Sequence, residues 1–236
     1  MTQLILIRHG ETDLNRELRF QGHSDVPLNA AGLVQAQSAA LAIALAGEPV
    51  YKIISSDLLR ARQTAEVIAA GLPQPPQKGL VIDAAWRERS FGELDGLRVA
   101  DIQQQHPQHW QQWLECGPDD AMAGIESTRS LNNRVMAAVQ ALAVVGCRNN
   151  IVVVTHGGVL DMIYRRAQGL PLEGPRRCDI PNAGINRVAI HHDAAANWQL
   201  IILEWALAEH LRGLPPQAVY KASPACDASG DTTAQT

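Results

Sequence analysis

Two apolar runs, far apart along the chain, end in the same way. Leu4-Ile5-Leu6-Ile7 leads into Arg8-His9-Gly10, and Ile151 to Thr155 leads into His156-Gly157-Gly158. A continuous apolar run suits a strand covered on both faces, as in a parallel sheet. In open α/β sheets, ligands sit beyond the carboxyl ends of such strands, where strand order reverses. If the two runs are neighbours, His9 and His156 face one pocket, so this pattern constrains both the architecture and the place of the chemistry.

Helices fit between the strands. Residues 30 to 46 are rich in Ala and Leu and lack Pro, which predicts a helix stopped by Gly47 and Pro49. Lys52 to Ser55 reads as a second strand. Ser56 reads as the cap of the next helix, with Asp57 in its first turn, and Gly71 and Pro73 end it. Residues 73 to 79 form a linker and Leu80 to Asp83 a third strand. Residues 99 to 114 make a polar, Gln-rich helix interrupted at Pro107, and 117 to 124 a loop. Leu131, Val135, Val139, Leu142 and Val145 recur at helical spacing, which predicts an amphipathic helix over 128–145. Gly157 to Gln168 is a helix. Ile185 to His191 and Trp198 to Glu204 are two late strands with a turn at 194–197. This alternation predicts an α/β fold, a three-layer α/β/α sandwich with a mostly parallel central sheet. One catalytic domain spans 1–212, and the Pro-, Ala-, Ser- and Thr-rich remainder, 213–236, is expected to be a flexible tail.

The formal net charge of −4 argues against a general nucleic-acid binder but leaves room for a local anion pocket. No apolar run approaches the roughly 20 residues of a membrane span. Arg8 and His9 interrupt the only apolar start, so no secretory leader is expected. Cys116, Cys147, Cys178 and Cys226 form no CxxC pair, as in a reduced, cytoplasmic protein without a zinc site.

Arg60 falls in the first turn of the helix after the second strand. Helical side chains lean toward the N-terminus, so its guanidinium reaches the same sheet edge as Arg8. The two can clamp a phosphoryl group through paired N–H bonds. The Gly157-Gly158 helix start offers bare N–H groups to an anion. Two imidazoles and two fixed cations suit phosphoryl transfer to histidine: a neutral ring nitrogen attacks, and the cations stabilise the transferring charge. Because guanidiniums do the clamping, no metal is required. An acid must protonate the leaving oxygen, and Glu88, in Trp86-Arg87-Glu88-Arg89-Ser90-Phe91-Gly92 on the loop after the third strand, is the best candidate.

The run Leu6-Ile7-Arg8-His9-Gly10-Glu11-Thr12 resembles the RHGET signature of the histidine phosphatase superfamily, the phosphoglycerate mutase-like branch. Three further segments resemble that family's motifs in the same order: Ser55 to Ala65 with Arg60, Glu88 with Phe91-Gly92, and Thr155-His156-Gly157-Gly158. The resemblance covers roughly residues 3 to 205. It implies a phosphoglycerate mutase-like fold, with His9 as the nucleophile that becomes phosphohistidine. It also implies that Arg8, Arg60, His156 and Asn15 hold the phosphoryl oxygens with the Gly157 backbone, that Glu88 gives and takes the proton, and that Gln21 and Gly22 line the substrate side.

Phosphatase and mutase share the first half-reaction. Residues 99 to 124 carry no Arg, whereas the family's glycolytic mutases place a paired-arginine segment there. Gly follows His156-Gly157, which is the phosphatase-like form; mutases usually have Asn. Glu88 to Leu97 echoes the mutase-like form of its motif. The expected function is metal-independent hydrolysis of a small phosphorylated metabolite through phosphohistidine, with inorganic phosphate as product and no cofactor. The alternative is a 2,3-bisphosphoglycerate-dependent phosphoglycerate mutase, for which the bisphosphate would be the primer. A binding module that has lost turnover is disfavoured because every matched catalytic position is filled. No nucleic-acid or membrane partner is expected, and the late strands leave a homodimer possible.

Other polar residues read as structural. His106 and His109 lie three apart without an acidic or thiol partner, and Trp110 and Trp113 suit packing or an apolar cleft wall. Arg165-Arg166 and Arg176-Arg177 read as surface pairs, with binding of an acidic substrate tail as the alternative.

Overall fold

Alternate side chains of the two central strands feed two different cores. In the computed structural model, which describes residues 2–105, 107–108, 110–111, 117–120, 124–143, 149–192 and 198–218, β1 (Thr2–Arg8) pairs in parallel with β4 (Asn150–Thr155). Leu4, Leu6, Ile151 and Val153 face one side and pack with Leu131, Val135 and Val139 of α5 (Thr128–Ala143) and with Leu160 and Ile163 of α6 (Gly157–Gln168). Ile5, Ile7, Val152 and Val154 face the other side. They meet Ala40 and Ile43 of α2 (Ala30–Leu45) and Ala61, Ala65 and Ile68 of α3 (Leu59–Gly71). Period-two alternation within an all-apolar run is what a strand between two helical layers requires. The three-layer sandwich follows.

The six-stranded sheet runs in the order β3-β2-β4-β1-β5-β6, with β2 at Val50–Ser55, β3 at Leu80–Ile82, β5 at Ile185–His192 and β6 at Trp198–Leu207. Strands β1 to β4 are mutually parallel, and the β5–β6 hairpin adds antiparallel to β1. The chain leaves β1 toward β2 on one side and leaves β4 toward β5 on the other, so strand order reverses between β1 and β4. Their carboxyl ends, Arg8-His9 and Thr155-His156, are adjacent in register: Arg8 pairs with Thr155, and the His9 N–H donates to the Thr155 carbonyl at 2.9 Å.

Several local readings change. The helix after β2 does not use Ser56 as its cap: it begins at Leu59 with Leu58 in the cap position and no side-chain cap bond from it. Asp25, from a distant loop, accepts the Leu59 N–H at 2.6 Å instead. Asp57 precedes the helix and pairs with Arg87. The polar helix expected over 99–114 is described as α4 (Val99–Gln105), and His106, His109 and Trp113 lie outside the described residues, as does the expected turn at 194–197. A one-turn helix, α1 (Asp13–Arg16), was not expected; Thr12 and Asn15 close it through a reciprocal capping box. Arg165, read as a surface residue, is 3% exposed. Gly213 does not release the chain: Gln217 accepts the Asn182 N–H at 2.7 Å and donates to the Asn182 carbonyl at 2.9 Å. Residues 219–236 lie outside the described residues. Among the described residues, no helix is long and apolar enough to cross a membrane.

Candidate active site

His9 sits at the end of β1 with its tautomer fixed. Nδ1 lies 2.7 Å from the Gly10 carbonyl, and only a protonated nitrogen bonds an acceptor. Nε2 therefore carries the lone pair, and it accepts from Arg60 Nε at 3.2 Å. Burial, then Arg60, then Arg8 hold the His9 pKa well below that of an ordinary imidazole, so the ring is neutral at pH 7 with its free electron pair on the nitrogen beside a guanidinium.

Arg60 has no exposed surface. Its Nη1 donates to the Ser24 carbonyl and its Nη2 to the Gly22 carbonyl, both at 2.8 Å. Desolvation pushes it down to about 10, partly offset by Glu88, Asp25 and Asp95. Arg8 donates to the Ile180 carbonyl at 2.7 Å, and its buried Nε has no partner among the described residues. Burial and then repulsion from Arg176 push it down to about 10 as well. Both remain cationic at neutral pH.

His156 caps α6 from the end of β4, and its ring centroid lies 5.1 Å from that of His9. Nε2 is 2.8 Å from Ser56 Oγ, and Nδ1 is buried without a partner among the described residues. Its pKa is also held well below the ordinary value, by burial, then Arg60, His9 and Arg8. Buried polar atoms are rarely left unsatisfied; the orphaned Arg8 Nε and His156 Nδ1, beside the bare N–H of Gly157 at the first helical turn, describe a receptor for an oxyanion.

Glu88 closes the site from the strap after β3. Its carboxylate accepts the Gly158 N–H at 3.0 Å and the Arg89 N–H at 2.8 Å. A Cβ at Gly158 would overlap that carboxylate. The strap is held by carbonyl acceptors: Thr155 Oγ1 donates to Trp86, His23 to Glu88 at 2.9 Å, and Arg134 to Ala85 and Arg87. Gly22 takes a left-handed φ of +42°, which lets its carbonyl turn toward Arg60.

Arg8, His9, Asn15, Gln21, Gly22, Arg60 and Glu88 line one pocket of about 120 Å³, together with Arg19, Phe20 and Phe91. Neither His156 nor Gly157 lines it: the His156 ring lies beside that of His9, and Gly157 follows His156 as the first residue of α6. Seven of the nine residues singled out in the sequence thus line one pocket, and His156 adjoins it through His9. The volume is well below the roughly 300–1,000 Å³ typical of sites that enclose a whole small molecule. It suits a phosphoryl-sized group, with the remainder of a ligand outside.

Asn182, in the turn before β5, is a residue the sequence reading missed. Its side-chain amide donates to the His9 carbonyl at 3.0 Å and to Asn15 Oδ1 at 3.1 Å. Asn15 Oδ1 also accepts the Thr12 N–H. With its oxygen so occupied, Asn15 has only its NH₂ to offer the pocket. Ser56, misread as a cap, positions His156. No sequence signal marks either role, because the partners are 100 or more residues away. Phe20 and Phe91 meet edge-on at 4.7 Å and pack with Leu94, Ile102 and Trp110, giving the pocket an apolar wall. Among the described residues, no three His, Cys, Asp or Glu side chains cluster as metal ligands.

Comparison with known proteins bears on the family and the fold. The family model described as the histidine phosphatase superfamily, branch 1, matches residues 4–201. The Proteus mirabilis protein named "Probable phosphoglycerate mutase GpmB" is 36% identical over 188 residues, which cover 80% of this chain and 85% of that one. A mycobacterial glucosyl-3-phosphoglycerate phosphatase, solved with VO3, superposes with a TM-score of 0.73 at 27% identity over 87% of this chain and 99% of its own. The alpha-ribazole phosphatase of Shigella flexneri gives a TM-score of 0.72 at 25% identity, over 87% of this chain and 97% of its own.

Proposed function

The chain belongs to branch 1 of the histidine phosphatase superfamily, and from that premise we propose that it is a metal-independent phosphomonoester hydrolase working through phosphohistidine on a small phosphorylated metabolite. The observation that carries this reading is the pairing of a neutral, lone-pair-bearing His9 Nε2 with Arg60 Nε at 3.2 Å, inside a pocket that also holds the Glu88 carboxylate.

The ester phosphorus sits over His9 Nε2. Arg8, Arg60, the Asn15 amide, His156 and the Gly157 N–H hold the three non-bridging oxygens, where charge is spread in the transition state. The N–P bond to His9 forms as the bond to the leaving oxygen breaks, and Glu88 gives that oxygen its proton. Water then enters, Glu88 takes its proton, and the new O–P bond displaces His9 and releases inorganic phosphate. Arg60, which binds His9 and two loop carbonyls without ligand, turns its donors to the oxyanion.

The mutase reading rests on the names of the curated relatives and on the mutase-like form of the Glu88 to Leu97 segment. Against it stands the absence of Arg between residues 99 and 124, where the family's glycolytic mutases grip the substrate carboxylate. Incubation with 3-phosphoglycerate, with and without 2,3-bisphosphoglycerate, separates the two. Inorganic phosphate as the dominant product supports the hydrolase, and primer-dependent formation of 2-phosphoglycerate without phosphate release overturns it. His9→Ala is expected to abolish release of p-nitrophenol from p-nitrophenyl phosphate, and wild-type turnover is expected to persist in a chelator.

A further inference from the structure

Phosphoryl binding as proposed leaves Arg176 at this edge of the sheet without a task. Arg176 lies on the loop between α6 and β5. Its guanidinium nitrogens stand 3.3 and 3.6 Å from where a Cβ on Gly157 would be, so the group lies directly over the first residue of α6. It is exposed, and no carboxylate pairs with it among the described residues.

Its position is fixed from both sides. Upstream, the buried Arg165 directs its Nη1 to the Pro171 and Glu173 carbonyls and its Nη2 to those of Gly174 and Pro175, at 2.6–2.9 Å, while Nε pairs with Asp161. Downstream, the Ile180 carbonyl accepts from Arg8 and Asn182 holds the His9 carbonyl. Burying a guanidinium is costly unless every donor is met. Here a buried guanidinium holds four carbonyls immediately before an exposed one, which shapes the loop around Arg176.

The neighbour of Gly157 is Gly158, whose N–H holds the Glu88 carboxylate. Arg176 and Glu88 thus flank consecutive residues of one helical turn. A leaving oxygen must approach Glu88 to receive its proton, and the small pocket places the rest of the leaving group outside. Arg176, over the residue next to Gly158, is a cation beside the carboxylate that the leaving oxygen approaches.

Resting on the phosphatase reading above, we infer that Arg176 is a specificity residue that takes a second anionic group of the substrate, a carboxylate or a second phosphate, so that the substrate class is phosphomonoesters carrying another acid near the ester. A planar guanidinium fork suits either anion.

The test uses two phosphonates that cannot be hydrolysed, 3-phosphonopropanoate and propylphosphonate, with binding measured by calorimetry. Wild type is expected to bind the carboxylated probe about tenfold more tightly, the scale of one charge-assisted hydrogen-bonded contact. Arg176→Ala is expected to bring that ratio close to one, and Arg176→Lys to restore part of it. Butane-1,4-bisphosphonate against butylphosphonate reports the second-phosphate case in the same way. No preference for either doubly charged probe in wild type, or a preference that survives Arg176→Ala, overturns the inference. So does an equal loss of affinity for the probes with and without the second acid, which would place Arg176 on the phosphoryl group itself. Turnover of p-nitrophenyl phosphate by wild type is measured alongside; its absence counts against the hydrolase reading alone, because the binding ratio does not depend on it.

Discussion

Glu88 and the two buried imidazoles carry the sharpest consequences at the scale of single residues. If Glu88 protonates the leaving oxygen, its value depends on how much that oxygen needs a proton. Glu88→Gln is expected to lower kcat for alkyl phosphates by about 10²–10⁴-fold and to affect p-nitrophenyl phosphate far less. Equal slowing of both substrates would remove the acid role. The imidazoles make a different prediction, on stability. His9 and His156 are both held below the ordinary histidine range, chiefly by burial. Above an unfolded-state pKa of about 6.5 neither state binds these protons and stability is flat. Below it the unfolded chain binds them and the folded protein does not, so stability falls as the pH drops from 6.5 toward the lower folded-state values. The slope approaches about 1.4 kcal/mol per pH unit for each ring. Urea unfolding between pH 7.5 and 5 measures it, and the double variant His9→Gln/His156→Gln is expected to lose most of that slope, keeping the share of His210, whose pKa burial also lowers.

Packing between elements decides how firmly His9 is held. Where the chain leaves β1 and α2 begins, backbone touches backbone: a Cβ on Gly32 would overlap the Glu11 carbonyl, and a Cβ on Gly10 would overlap the Gly32 carbonyl. Gly32→Ala must therefore push α2 away from the strand end, at a cost of about 1–3 kcal/mol read as a lowered urea midpoint. The elements themselves were legible in the sequence to the extent that a local pattern encodes them. β1 and β4 announced themselves as apolar runs because both faces are covered, and α5 through its spacing from Leu131 to Leu142. Arg8, His9, Arg60 and His156 could be placed because each sits at a fixed offset from a strand end. Ser56 was misread because Ser-Asp before a helix is the pattern of a cap, while its hydroxyl goes to His156 and Asp25 caps the helix from elsewhere. Arg165 stayed hidden for a related reason: four of its five partners are backbone carbonyls, which carry no residue identity for a pattern to match.

Across the whole molecule, the end of the described chain returns to the site where the chain began. β5 and β6 extend the sheet on the far side of β1, and after β6 His210 bonds the Ala183 carbonyl at 2.9 Å while Gln217 grips both backbone groups of Asn182. Asn182 in turn holds the His9 carbonyl and orients Asn15. The segment beyond Gly213 thus acts at one remove on His9 and Asn15, although its composition reads as a tail. Two truncations separate these roles. Ending the chain after Ala218 keeps every one of these contacts, whereas ending it after Leu214 removes Gln217 and leaves a buried N–H and carbonyl to find water. The shorter chain is expected to be about 1–3 kcal/mol less stable than the longer and to bind inorganic phosphate more weakly, because Asn182 then holds Asn15 less firmly. Gln217→Ala in the full chain should reproduce both effects. Identical urea midpoints and phosphate affinities for the two truncations would mean that Asn182 is held by β5 alone.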